Sequence, residues 1–126
     1  MPFEYNIDTQ RRLVMSTAFG VFTPADALAH GEKLLKDPEF DPSFSQFLDL
    51  TQVTEWKLDA SELRSAARMT IFSPHSRRAI WAPSDVAFGY ARMFEMLRDF
   101  AGETGIRVFR NRDDAMAWVL PSHSAT

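Results

Sequence analysis

The feature that most constrains this chain is the alternation of short β-type runs with helical segments along nearly its whole length. Phe3, Tyr5 and Ile7 alternate with Glu4, Asn6 and Asp8, a period of two that reads as a half-exposed strand. A polar turn, Thr9-Gln10-Arg11, leads to a second strand from Leu13 to Phe19, which Gly20 is expected to end. The short link makes the pair a hairpin. Thr23 is placed to cap a helix, with Pro24 at its first position. That helix runs through Leu28, Leu34 and Leu35 and stops before Asp37-Pro38. Two Asp-Pro steps make 37–43 a loop.

A third strand is expected over Ser45–Thr51, where Phe47, Leu48 and Leu50 suit a central position. Gln52–Asp59 reads as a connection that exposes Trp56. Asp59 is expected to cap a second helix over Ala60–Phe72. A fourth strand follows over Arg78–Ala82, halted by Pro83. Ser84 or Asp85 caps a third helix over Val86–Ala101, which Gly102 ends. Ile106–Phe109 is a fifth strand. Arg112–Val119 is a last helix, with Asp113 and Asp114 in its dipole-favoured first turn. The order β-β-α-β-α-β-α-β-α predicts an α/β domain, a mixed sheet of about five strands with about four helices. Residues 1–120 are assigned to it and 121–126 to a flexible tail.

The chain has 126 residues, enough for one domain with a real core. It has no cysteine, which excludes disulfides, thiolate catalysis and thiolate metal sites. Its net charge of −3 argues against nucleic acid as a partner. No apolar run approaches the roughly 18 residues of a membrane span. The N-terminus lacks the basic start and apolar stretch of a secretory signal, so a cytoplasmic location is expected. His30, His75 and His123 have no metal-ligand spacing. His30 is expected at the surface and His123 in the tail. No nucleophile elbow, phosphate loop, dinucleotide fingerprint or zincin motif occurs. Neither a catalytic residue, a metal nor a cofactor is therefore expected.

Three stretches carry a likeness: FLDLTQV (47–53), FGYARMFEML (88–97) and VFRNRDDAMAWV (108–119). Together they resemble the SpoIIAA-like family, relatives of the STAS anti-sigma-factor antagonists, with a more distant likeness to Sec14-type lipid carriers. The resemblance implies a mixed sheet with right-handed crossovers. STAS domains carry a pattern like D-L-S-x-V-T-x-x-D-S-S-G-L, whose first Ser after the second Asp accepts phosphate. Asp49-Leu50-Thr51-Gln52-Val53-Thr54 fits the first half. The second half arrives late, as Asp59-Ala60-Ser61-Glu62-Leu63. Ala60 then stands at the phosphoacceptor position without a hydroxyl, Ser61 at the second Ser and Glu62 at the Gly. The switch is degenerate, and Asp59 or Ser61 reads more simply as a helix cap.

In the third helix, Tyr90, Phe94, Leu97 and Ala101 share one stripe that can seat it on the sheet. Met93, Met96 and Phe100 fall on a flank, either a second apolar surface or the edge of a wide core stripe. Trp56 and Trp81 are further candidates. Trp81 ends a strand where open α/β sheets bind ligands, although ordinary packing accounts for it more simply. His75, Arg77 and Arg78, joined by Arg64 and Arg68, form either an anion site or scattered solvated charge. Arg107, Arg110 and Arg112 form a second basic group, which Asp113 and Asp114 neutralise. Asp49 is expected to bond nearby backbone.

These readings define a non-enzymatic interaction domain that docks a partner protein or a second copy of itself through the third-helix flank. The alternative is a carrier of a small apolar or amphipathic ligand. In that case Trp81, Tyr90, Met93 and Met96 line a cavity of roughly 300 Å³ or more.

Overall fold

The computed structural model describes residues 3–68 and 70–120, and all of their side chains except those of 63 and 66–68. The expected tail, with His123, lies outside the described residues. The elements are β1 (Phe3–Asp8), β2 (Leu13–Phe22), α1 (Pro24–Lys36), β3 (Ser45–Trp56), α2 (Ala60–Arg68), β4 (Arg78–Trp81), α3 (Asp85–Phe100), β5 (Ile106–Phe109) and α4 (Arg112–Val119). The sheet order is β1-β2-β3-β4-β5. β1 is antiparallel to β2, and every later pairing is parallel. The three crossovers step the same way across the sheet, so right-handedness places α1, α2 and α3 on one face. α4 packs on the other face, against Leu13, Phe47 and Ala79.

Local chemistry starts each described helix. Thr23 Oγ1 accepts from the Asp26 amide at 3.1 Å, and Ser84 Oγ from Ala87 at 3.1 Å. Asp59 Oδ1 accepts from Glu62 at 3.1 Å, and Asn111 Oδ1 from Asp114 at 3.0 Å. Each cap is worth about 1 kcal/mol.

Four expectations need correction. β2 does not end at Gly20, which adopts φ 73°. There the pairing with β3 slips and both strands continue. The left-handed glycine forms a bulge instead of a stop. β3 therefore runs to Trp56, in register with Phe22, and the expected connection at 52–56 is strand. α2 ends at Arg68, short of Phe72. Phe72 instead turns inward at 2% exposure, and the Ser73 amide bonds the Pro42 carbonyl at 2.7 Å. Tertiary burial overrides helix propensity there. α3 seats itself through Ala87, Ala91 and Arg98, one step round from the expected stripe. The two alanines let the helix approach Ile80, Ala82 and Ile106 closely. Leu97 is only half-buried and Ala101 is exposed.

Gly105 also has a strict role. A Cβ there would collide with the Ser76 carbonyl. The Gly105 carbonyl accepts from the Arg78 amide at 2.8 Å, which fixes β4 beside β5.

Candidate functional site

Period-two strand geometry sends Ser16, Gln46 and Arg78 to the helix-covered face of the sheet, in line with Val14, Leu48 and Ile80. They join into a chain of polar contacts that crosses three strands. Arg78 Nε donates to Gln46 Oε1 at 3.2 Å. Gln46 Nε2 donates to Ser16 Oγ at 3.1 Å. Ser16 Oγ lies 2.9 Å from His30 Nε2 on α1. At the far end, Arg78 Nη1 donates to Glu103 Oε1 at 3.3 Å, and Glu103 also pairs with Arg98 of α3.

The direction of this relay follows from the donors. A guanidinium only donates, so Gln46 must offer it Oε1 and turn Nε2 toward Ser16. The Ser16 oxygen accepts that bond, leaving its proton for His30 Nε2. His30 is then a neutral acceptor, and burial holds it so. Its pKa falls to about 4, chiefly by desolvation, with Lys33 and Arg78 adding repulsion. Burial, and secondarily Arg98, also pulls the Arg78 guanidinium below its ordinary value.

Beside the relay lies a cavity of about 120 Å³ between the sheet and α1–α3. Its lining is mostly apolar, including Leu34, Leu48, Leu50, Ile80, Phe94 and Phe72, with His30, Gln46 and Arg78 as its polar residues besides Tyr90 and Trp56. An arc of rings walls it. Phe3 stacks on His30 at 4.7 Å, Phe3 meets Phe22 at 5.8 Å, Phe22 meets Trp56 at 5.0 Å, and Trp56 meets Tyr90 at 5.3 Å. The Gly20 bulge makes this arc possible, because it carries Phe22 and Trp56 past the expected strand ends.

The residues singled out in the sequence divide sharply. Trp56 and Tyr90 line the cavity, and Trp56 is half-buried, not exposed in a loop. Trp81 does not line it. It faces α4, packs near Phe47 at 6.2 Å and donates from Nε1 to the Arg110 carbonyl at 3.2 Å. A ligand crevice at strand ends arises where strand order reverses, and this order never reverses. Met93 and Met96 point to solvent and also do not line the cavity, which is smaller than the expected 300 Å³.

His75, Arg77 and Arg78 do not converge. His75 is exposed. Arg77 bonds the Trp118 carbonyl at 2.9 Å and lies over its ring. Arg78 goes inward. Arg64 is exposed, and Arg68 falls outside the described side chains. The second basic group is also dispersed. Arg110 pairs with Asp85 at 2.9 Å, and Arg107 and Arg112 lie over the rings of Phe109 and Phe47. Ala60 and Ser61 are exposed at the start of α2. Asp49 bonds the amide and hydroxyl of Thr51 at 2.7 and 2.6 Å. His30, expected at the surface, is buried because Ser16 and the Phe3 ring hold it inward. Sequence reasoning missed the relay. Its signal was a polar residue on the apolar parity of three successive strands.

Of the two readings of the α3 flank, the structure shows the exposed apolar surface. Val86, Met93, Met96 and Phe100 are 56, 47, 61 and 95% exposed, and Gly89 lies among them with open space above it. Among the described residues no helix is long and apolar enough to cross a membrane, and no group of metal-binding side chains occurs.

A parallel run of strands covered by three helices on one face and one on the other, with an antiparallel first strand, is a SpoIIAA-like α/β fold. The solved structures bear this out. The chain is similar to an uncharacterized protein from the DUF3478 family with a SpoIIAA-like fold, from Shewanella loihica PV-4. The TM-score is 0.57, the identity 18%, and the match covers 93% of each chain. At that identity the likeness shows the fold. No protein-family model matches the sequence, and no curated protein does.

Proposed function

We propose that the chain is a small interaction domain, acting by binding rather than catalysis, that pairs with a second copy of itself through the outer face of α3. The observation that carries this is the spacing of the exposed residues. Val86, Gly89, Met93, Met96 and Phe100 recur at alternate steps of three and four, the seam of a helix–helix pair. Val86 and Phe100 stand seven residues to either side of Met93, and Gly89 and Met96 four before and three after it. In an antiparallel pair Val86 faces Phe100, and Met96 faces the space that Gly89 leaves open. Asp85, Arg92, Glu95 and Asp99 edge the seam, with Arg110 paired to Asp85 and Arg92 to Glu95, and a rim without cationic excess disfavours an anionic bilayer as the occupant.

Sedimentation equilibrium tests the proposal. The protein should be a dimer, and Met93→Asp should weaken the dimer at least about tenfold by burying an unpaired charge, with an unchanged circular dichroism spectrum. A monomer at all concentrations, or full assembly by a folded Met93→Asp, overturns it.

The cavity supports a second reading, a site for a small amphipathic ligand. Native mass spectrometry of freshly purified protein should show a mass that survives gentle desolvation and leaves on denaturation. Protein that carries no such mass, and takes none up from a panel of small apolar compounds, rejects this reading.

A further inference from the structure

Resting on that second reading, we infer that the cavity selects small carboxylic acids, with the acid group on Arg78 and an apolar body among the rings. Three observations converge. The first is charge. The buried end of the relay holds two guanidiniums, Arg78 and Arg98, around one carboxylate, Glu103, whose side chains are 16, 2 and 7% exposed. His30 is neutral and adds no charge. The group therefore holds one more cation than anion, at the wall of an apolar cavity, where an anion gains most.

The second is geometry. Arg78 contacts Glu103 at 3.3 Å, longer than the roughly 2.7–2.9 Å of a strong charge-assisted bond, because Glu103 is shared with Arg98. Nε and Nη1 of Arg78 have acceptors, and Nη2, which no hydrogen bond among the described residues uses, is not one of the buried unpartnered atoms, so a ligand can reach it. Phe72 covers one face of the guanidinium at 4.5 Å, and its N–H groups donate within its own plane, so an acceptor meets it at the edge. A carboxylate is the planar acceptor that suits such an edge. The third is size. A volume of about 120 Å³ is close to the roughly 150 Å³ of a cavity that binds benzene. It suits a body of about six carbons.

The test compares isosteres on the unmodified protein by titration calorimetry and amide NMR. Hexanoate should bind, shift the Trp56 indole and Arg78 Nε signals, and exceed hexanol in affinity by about tenfold or more. Arg78→Gln should lose that preference while still taking hexanol. Should this variant fail to fold, the wild-type comparison stands alone. Equal binding of acid and alcohol overturns the inference and leaves the cavity reading intact. Binding of neither overturns both. Stronger binding of hexyl phosphate than of hexanoate overturns the choice of carboxylate.

Discussion

The two faces of one sheet are built to different rules. Under α4, alternate residues of β2, β3 and β4 place Leu13, Phe47 and Ala79 against Ala115 and Val119, which are 0 and 1% exposed. Large and small side chains interdigitate, and the polar groups stay at the rim. Under α1–α3, the other residues of the same strands place Ser16, Gln46 and Arg78 beneath a cavity. Parity along a strand thus separates a face that holds the fold together from a face that keeps space and buried charge. Dry packing stabilises through contact. The relay face stabilises only as far as its donors find acceptors, and at its far end Arg98 Nε has none.

The largest expected effect lies on the dry face. Phe47→Ala should cost about 3–5 kcal/mol, because the packed α4 layer cannot collapse into the hole. Its ring supports Trp81 at 6.2 Å and lies under the Arg112 guanidinium at 5.7 Å. Urea unfolding reads the loss directly. A cost below about 1 kcal/mol would mean that this face, too, has room to relax.

The next effect belongs to the relay face and depends on pH. The unfolded chain takes up a proton on His30 near pH 6.5, and the folded chain only near 4. Between those values the unfolded state binds more protons, so stability falls as pH falls. The full difference approaches about 3 kcal/mol by pH 4 and is absent above about pH 7. Asp8, Asp37 and Asp41, whose carboxyls are lowered by local hydrogen bonds, lose their contribution only below that window. His30→Gln should flatten the profile between pH 6.5 and 4.5. Equal stability of the wild type at the two ends would show that solvent reaches the imidazole.

The dry face and the order of elements were legible in the sequence because their signals are local. β5 and α4 fall on their expected bounds, Ile106–Phe109 and Arg112–Val119. Period-two runs, N-caps and Pro steps act within a few residues. The relay was not legible, because its bonds join residues 14, 30, 32 and 25 positions apart. Ser16 inside an apolar strand looks like tolerance until Gln46 is seen beside it. Arg78 looked like one of a loop cluster with His75 and Arg77, yet strand parity sends it inward and Arg77 outward. Gly20 read as a stop because a bulge is decided by the partner strand. Met93, Met96 and Phe100 were legible as one helix flank, a local pattern, but whether that flank faces solvent or the core depends on how the helix seats on the sheet.

The smallest effect sharpens the comparison most. Ser16→Ala removes one hydroxyl from the relay and leaves Gln46 Nε2 and His30 Nε2 without it, at about 1–3 kcal/mol near neutral pH. The loss of stability on acidification should survive in this variant. Desolvation, not the serine bond, leads the depression of His30, and a methyl group keeps the site as dry. If the pH profile instead flattens in Ser16→Ala, the hydrogen bond is what keeps His30 neutral. The relay face would then be a network of mutually dependent partners and not a line of separately buried groups.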